Sequence, residues 1–367
     1  MQQYNVDFFD RNMGFIFSST VPVGTIDDDY LSAVVNTVDV DSTLRVANGQ
    51  YIRLECDDYT YFGLVTDVSP GEHVTTVQFK PFLSIFEEDY MFNTSWQGTE
   101  ETGRPTLEAM LRNVITDEYI STSDTYQRLP ISIDIDPTIT QTANWNLGLL
   151  PDAENVNYKI VNIYRDLIVG AIKKYGVVID IDPKFSTNVI RLTVTQRKTP
   201  FKIDADLDNV YVKTLKYQSK NVGTNKLIVY NANDYTTSIT YYVHSDNSWD
   251  TEDRDRITPV TREIKAVSPD SSVSDPARAF ALAAVNAAHN ALSGTAWDNL
   301  IELEAYVDDE NITPMSLRIG QSVSIVYKEA KYTSLLTGRK IEGQKITLLF
   351  GSERIEYTKR FKMNGGK

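Results

Sequence analysis

Three pairs of carboxylates, each pair two residues apart, are the residues of this sequence best placed for acid–base chemistry. They are Asp134 with Asp136, Asp180 with Asp182, and Glu302 with Glu304. On a β-strand this spacing puts both acids on one face, and a glycosidase needs two carboxylates on either side of the bond that it cleaves. The same spacing is also typical of the solvated or lumen face of an acidic protein. We expect the pairs to be structural.

A fourth acidic cluster, Asp204-Ala-Asp206-Leu-Asp208, resembles a calcium loop, because hard cations bind clustered oxygen ligands. It lacks the glycine and the distal glutamate of an EF-hand. The sequence therefore favours a solvated turn over a metal site at these three aspartates.

Histidine and cysteine offer little further chemistry. The chain has three histidines, His73, His244 and His289, and one cysteine, Cys56. No HExxH motif and no Cys/His spacing of a zinc site occurs, nor does a Gly-x-Ser-x-Gly elbow or a phosphate-binding Gly-rich loop. We expect surface or capping histidines and a buried, unreactive thiol.

An aromatic run from Tyr235 to Tyr242 could stack on sugars, although packing in a core or an interface is the simpler role. None of these groups forms a convincing constellation. The sequence therefore predicts a protein without catalytic residues, bound metal or cofactor.

Composition limits the class of protein further. A chain of 367 residues exceeds the roughly 250–300 at which single cores stop growing, so two or more domains are expected. The net charge of −14 argues against ordinary nucleic-acid binding, which needs clustered Lys and Arg. No segment approaches the roughly 20 apolar residues of a membrane span, and the first residues do not have the pattern of a signal peptide. We expect synthesis in a reducing cytoplasm, which the single cysteine also fits.

The chain is rich in tyrosine and phenylalanine, and this composition favours strands and large sheet surfaces. Alternating apolar residues predict strands through most of the first hundred residues and again after residue 176. Helical spacing predicts three helices, over about 105–115, 157–175 (with Ile160 buried) and 277–292. Gly176 and Asp275 are their expected stop and cap.

Two β segments repeat one another at a constant offset, which aligns positions 49–79 with positions 320–350 without a gap. Seven of the aligned pairs are identical. These are Gly49/Gly320, Gln50/Gln321, Tyr61/Tyr332, Leu64/Leu335, Thr66/Thr337, Thr76/Thr347 and Phe79/Phe350. The repeat predicts two copies of one small β-barrel. Three chains would then supply six similar barrels around an axis.

The residues in and around these segments resemble a known family. Tyr4–Asp10, Asp29–Ser32, Gly49–Ile52, Phe62–Thr66 and Lys80–Ser84 are similar to the start of siphophage tail-tip hub proteins, the tail-associated-lysin family. Ala277–Leu292, Ile301–Tyr306 and Leu317–Gln321 are similar to its later part. That family also resembles the baseplate hub of contractile-tailed phages. The chain ends soon after the last barrel strand, so the family's lysin activity is not expected.

The resemblance implies a mainly β fold with α+β insertions, in which two similar barrels and two inserted domains build a hub. We expect the first barrel at 1–98 plus about 200–216, an α+β insertion at 99–199, the second barrel at 217–247 plus 308–358, a helix-containing insertion at 248–307, and a tail at 359–367.

The function that the resemblance implies is structural. The chain would form a homotrimer at the distal end of a phage tail, continue or close the tail tube, and open for DNA. Its partners would be a distal tail protein, other baseplate or receptor-binding proteins and a tape-measure protein. DNA would pass without specific binding, and we expect an acidic channel wall, to which Glu55, Asp57 and Glu329 contribute. The alternative is a carbohydrate-binding or cell-wall-degrading tip protein.

Overall fold

Strands whose side chains alternate between core and solvent dominate the chain, as in Asn36–Asp41, where every second residue is buried. In a computed structural model the chain is mainly β with α+β parts, which confirms the expected fold class. The structure describes residues 2–56, 59–93, 106–136, 158–206, 210–217, 224–244, 249–256, 260–269, 271, 273–292, 299–306 and 317–352.

The N-terminal segment forms a curled six-stranded antiparallel sheet, the first sheet. The described residues of the segment form seven strands, of which all but β3 belong to this sheet. They are β1 (Gln2–Phe9), β2 (Phe15–Val23), β3 (Thr25–Asp29), β4 (Asn36–Asp41), β5 (Tyr51–Cys56), β6 (Tyr59–Pro70) and β7 (Val74–Pro81). Their order is β2-β1-β5-β6-β7-β4. Strand β3 leaves this sheet and pairs elsewhere.

An α+β insertion follows. Its elements are β8 (Asp89–Asn93), α1 (Leu107–Ile115), β9 (Ile131–Ile135), β10 (Tyr158–Asn162), α2 (Val169–Tyr175), β11 (Val177–Lys184) and β12 (Val189–Asp204). Thr106 caps α1 by accepting a hydrogen bond from the Ala109 amide at 3.1 Å. Gly176 ends α2 in the left-handed conformation, as the sequence predicts. The insertion shares one apolar core with one end of the first sheet.

The helix predicted over 157–175 is wrong in its first part. Residues Tyr158–Asn162 form a strand that pairs with β8, and helical backbone begins only at Ile163. Ile160, expected to be buried, is 69% exposed, whereas Val161 faces the core. Short apolar runs fit both periods, and the long-range partner decides between them.

The remaining elements run from β13 to β21 and include the longest helix of the described chain. They are β13 (Tyr211–Tyr217), β14 (Lys226–Asn231), β15 (Asp234–Val243), β16 (Trp249–Asp250), β17 (Arg262–Val267), α3 (Pro276–Leu292), β18 (Asn299–Tyr306), β19 (Gln321–Tyr327), β20 (Ala330–Glu342) and β21 (Lys345–Phe350). Asp275 accepts hydrogen bonds from the first amides of α3, as expected of its cap.

A second curled sheet has the order β11-β12-β19-β20-β21-β18-β13, with β3 added beside β20 and β9 beside β12. The carboxyl-terminal part of β12 runs parallel to β19. Apolar side chains of the first and second sheets form one continuous core.

The strand grouping differs from the expected one. Strands β14 and β15, expected in the second barrel, form a separate four-stranded sheet with β16 and β17, and α3 packs on it around its own core. Strand β18, expected in the helix-containing insertion, pairs with β13 and β21 in the second sheet. Residues 201–204 and 211–216, expected in the first barrel, also pair in the second sheet. Alternation identifies strands but not their partners.

The two repeats match residue for residue. Tyr51 pairs with Leu64 in the first repeat, and Ser322 pairs with Leu335 at the equivalent place in the second. Both long strands carry a bulge at the same place, beside Thr66 and Thr337. Gly49 and Gly320 share a left-handed φ, 82° and 78°. The predicted repeat is therefore confirmed as a repeat of structure.

Candidate functional site

Three of the acids in the predicted pairs form ordinary ion pairs, and two of these acids, Asp134 and Asp180, lie on either side of Thr193 of β12. Asp180 pairs with Arg197, and Asp182 lies 2.5 Å from the Lys184 ammonium. Asp134 lies 3.7 Å from Arg191. Each partner is a neighbour on the same strand or on the paired strand.

The pair on β18 is asymmetric. Glu302 is 3% exposed and accepts a hydrogen bond from the Thr214 hydroxyl at 2.7 Å. Glu304 lies 2.8 Å from the Lys345 ammonium, and this hydrogen bond lowers the pKa of Glu304. A general acid needs a raised pKa instead, so Glu304 is not suited to that role.

The proposed calcium loop is held as a turn. The Asp204 carboxylate accepts from the Asp206 amide at 3.1 Å, and the Asp206 carboxylate accepts from the Lys328 amide at 2.7 Å. Asp208 lies outside the described residues. Across the described ranges, no group of three or more His, Cys, Asp or Glu side chains could hold a metal ion.

The histidines and the cysteine occupy different environments. His73 is exposed, and His289 lies in α3 with its side chain outside the described set. Cys56, expected to be buried, is only partly so. His244 is 1% exposed, which the expectation of surface or capping histidines did not anticipate.

Both ring nitrogens of His244 face acceptors. Nδ1 lies 2.7 Å from the Arg254 carbonyl oxygen, and Nε2 lies 2.9 Å from an Asp250 carboxylate oxygen. Burial lowers the pKa of His244, but these two acceptors outweigh it and raise the pKa above its ordinary value. The ring thus joins the segment Trp249–Arg256 to β15.

The aromatic run on β15 packs on both sides of the strand. Tyr241 is 4% exposed and meets Trp249 edge to face at 5.5 Å. The Arg256 guanidinium lies over the Tyr242 ring, 4.9 Å from the ring centroid. Among the three aromatic rings of the run only Tyr235 is largely exposed, so a sugar-stacking platform of several rings is not formed.

A surface cavity lies between the loop after β3 and the α+β insertion, lined in part by Leu31, Glu87, Tyr164 and Arg165. Its charged residues are exposed and paired with neighbours outside the cavity lining. Glu87 lies 3.0 Å from Lys80, and Arg165 lies 3.1 Å from Asp166. These contacts are surface ion pairs, which contribute little to binding or stability.

Two of the acids expected in a channel wall, Glu55 and Glu329, lie near the ends of strands. Glu55 is 3.4 Å from the Arg53 guanidinium. Glu329 occupies the turn between β19 and β20 with a left-handed φ of 64°. Asp57 lies outside the described residues.

The first and second sheets are joined where β3 pairs with the end of β20, and we call this contact the junction. Strand β3 pairs antiparallel with the end of β20, from Gly338 opposite Asp29 to Glu342 opposite Thr25. The Tyr30 amide then donates to the Thr337 carbonyl at 3.0 Å. Gly338 permits this approach, because an added Cβ would lie 3.1 Å from the Asp29 Cα.

Side chains complete the junction. Asn36 pairs with the Asp27 backbone, accepting from the amide at 2.7 Å and donating to the carbonyl at 2.9 Å. Asp28 lies 3.7 Å from the Arg339 guanidinium, which lies 6.0 Å from the Tyr59 ring centroid. The junction is thus both backbone-paired and charge-matched.

Burial is the main electrostatic influence at the junction. It raises the pKa of Asp28, while Arg339 opposes the shift. It also raises the pKa of Tyr59 well above its ordinary value, with a further contribution from the Asp28 charge. The arrangement fixes one sheet on the other and presents no group poised for proton transfer.

Local sequence patterns did not predict the junction. The signal was present as three consecutive acids, Asp27–Asp29, and a basic pair, Arg339 and Lys340. Acids followed by Tyr30-Leu31-Ser32 are locally typical of a turn. A turn does follow, since Asp29 accepts from the Leu31 amide and the Ser32 hydroxyl, but the acids themselves form β3.

Comparison with solved structures finds phage tail and baseplate proteins. The chain is similar to a 43 kDa tail protein of prophage MuSo2 from Shewanella oneidensis, with 11% identity, a TM-score of 0.49 and 95% and 98% of the two chains covered. It is similar to a chain of the phage P2 baseplate in its activated conformation with Ca, with 14% identity, a TM-score of 0.44 and the same coverage.

A prophage tail protein from Listeria monocytogenes EGD-e is also similar, with 9% identity, a TM-score of 0.45 and 98% of both chains covered. No protein-family model matches the chain, and no curated protein matches it. At these identities and TM-scores the likenesses establish neither a family nor a function.

No helix among the described residues is long and apolar enough to cross a membrane.

Proposed function

We propose that the chain is a structural subunit at the distal end of a phage tail, a baseplate or tail-tip hub without enzymatic activity. The observation that carries this proposal is the duplication. One chain contains two β units with the same register, the same bulge and the same corner glycine. The sequence motifs that resemble siphophage tail-tip hubs lie in and around these units.

The duplication supports a homotrimer. Two similar units in one chain can occupy equivalent positions around an axis, so three chains supply six units and match a sixfold tube. The junction is consistent with this arrangement because it holds the two units of one chain side by side through backbone pairing. The proposed partners are a distal tail protein, other baseplate or receptor-binding proteins and a tape-measure protein.

The channel of such a ring would let DNA pass without binding it. A wall carrying carboxylates repels phosphates, whereas Lys and Arg contacts would hold the DNA. We propose a net acidic wall to which Glu55, Asp57 and Glu329 contribute. The proposed location is the virion.

Oligomeric mass is the direct test. Light scattering of the purified chain at tens of micromolar should give three times the monomer mass, and its complex with neighbouring tail proteins should contain three copies of the chain. Electron microscopy of the assembled particles should show a closed ring with a central channel. A stable monomer under both conditions would refute the homotrimer, and a channel lined by Lys and Arg would refute the acidic wall alone.

The absence of catalysis needs its own measurement. We expect no release of reducing sugars or peptide ends from peptidoglycan. Turnover that survives purification and disappears in Asp180→Asn or Glu302→Gln would favour the alternative, a cell-wall-degrading tip protein.

A further inference from the structure

The two repeats differ at one edge. In the second repeat, the end of β20 is covered by β3, and Thr337, Gly338, Arg339 and Ile341 are buried. The corresponding end of β6 is the stretch 66–70. Within the described part of the chain it pairs with β7 on one side and with no strand on the other. Its residues Asp67, Ser69 and Pro70 are exposed.

The backbone groups that face this edge follow from the register. The Tyr30 amide donates to the Thr337 carbonyl, and hydrogen-bonded pairs alternate in an antiparallel ladder. Positions 337, 339 and 341 therefore direct their backbone groups toward β3. Their equivalents are Thr66, Val68 and Pro70. Proline has no N–H, so the first repeat lacks the donor that Ile341 offers to β3.

The side chains differ in the same direction. Asp67 stands where Gly338 lets the β3 backbone approach, and its carboxylate would lie opposite the position of Asp29. Like charges directly opposite are destabilising. Val68 and Ser69 replace Arg339 and Lys340, which face the acids of β3.

We propose that the end of β20 is a strand-acceptor site specific for the acidic strand β3, and that Asp67 and Pro70 close the matching site on β6. The strand that is excluded from the site on β6 is β3 of a second copy of this chain. An unpaired edge is a template for association, so an open site on β6 would let β3 of one chain leave its own β20 and pair with β6 of another chain. The sequence difference between the two sites therefore restricts β3 to pairing within its own chain.

This inference does not require the proposed trimer. If three chains do form a ring, any contact between chains at the end of β6 is made by side chains and not by an added β3. The two sheets of one chain are then joined by backbone pairing at the junction, whereas the end of β6 contacts another chain through side chains alone.

Converting the closed edge into the open one tests the inference. The variant Asp67→Gly, Val68→Arg, Ser69→Lys, Pro70→Ile gives β6 the residues of β20. The probe is a fluorescent peptide of residues 23–31, added to the full chain and followed by anisotropy. We expect binding at least about tenfold tighter than to the unchanged chain, where β20 is occupied by its own β3. Hydrogen exchange at the amide of position 68 should slow when the peptide binds.

The matched control keeps Pro70 and carries the other three substitutions. It has the same added charge but lacks the donor at position 70, so we expect weaker binding than with the fourfold variant and less protection at position 68 at the same peptide concentration. Peptide binding to the unchanged chain would overturn the inference, as would no binding to the fourfold variant. Equal binding to the control and the fourfold variant would overturn the role of Pro70. A trimer in the light-scattering experiment is compatible with each of these outcomes, so the two proposals fail separately.

Discussion

The first and second repeats have the same internal structure and different surroundings. Their strands pair in the same register and bulge at the same place, although only seven positions are identical. The second repeat is covered by β3 at one edge, and Val178 of the insertion packs against its corner glycine, Gly320. Beyond its chain neighbours, none of the described residues lies within 4 Å of the Cβ that a side chain at Gly49 would have. A shared core thus fixes the unit, and the edges are free to diverge.

The largest test of this comparison removes the same core residue from each repeat. Phe79 and Phe350 close equivalent strands, and both are completely buried. Phe79→Ala and Phe350→Ala should each lower the free energy of unfolding by about 3–5 kcal/mol, measured by urea denaturation. A loss at one position that is less than half of the loss at the other would show that the two cores are not equivalent.

A smaller test separates the edges. Gly338→Ala adds a Cβ that would lie 3.1 Å from the Asp29 Cα and 3.2 Å from a methyl of Leu349. We expect a loss of about 1–3 kcal/mol from this overpacking. Asp67→Ala, its matched control at the exposed equivalent position, should change stability by no more than about 0.5 kcal/mol. If both substitutions cost the same, β3 does not distinguish the repeats.

The smallest effect concerns the charge of Asp28. Burial raises its pKa in the folded chain, so the ionised carboxylate is disfavoured there relative to the unfolded chain. Asp28 therefore costs nothing well below its unfolded pKa, and its cost grows as the pH rises from the unfolded pKa through the folded pKa. The side chain keeps 30% of its exposure, so the effect should be small.

Asp28→Asn is the variant to measure. Its stability should equal that of the unchanged chain near pH 3 and exceed it slightly at pH 7, in urea titrations across that range. Val68→Asn, at the first-repeat equivalent of Arg339, serves as a control without pH dependence. A variant that is less stable at pH 7 than at pH 3, relative to the unchanged chain, would mean that the ion pair with Arg339 outweighs burial.

Local patterns in the sequence predicted the units well. The seven identities lie in phase with the strands, so a shared period-2 pattern indicated both register and duplication. Helix α3 followed from its alanines and the Asp275 cap. In each case the deciding information lies within a few residues along the chain.

The sequence did not show which strands pair with each other. Strands β14 and β15 alternate as well as any barrel strand, yet β14 pairs with β17 and the sheet supports α3. The run Tyr158–Asn162 fits a helix until β8 is placed beside it. The junction brings Asp28 and Arg339 together from opposite ends of the sequence. The complementary charges of the two segments were the sequence signal for this contact.

Strand β12 has a mechanical consequence. It is the longest strand that the structure describes. The first half belongs to the α+β insertion, where it pairs with β9 and β11, and the last part runs beside β19 in the second sheet. Phe185, in the turn that leads into it, stacks on Phe9 of the first sheet at 4.7 Å. A force applied to the insertion is therefore transmitted along one continuous strand to the second sheet, and through the shared apolar core on which Phe185 packs to the first sheet, so the insertion is mechanically coupled to both sheets.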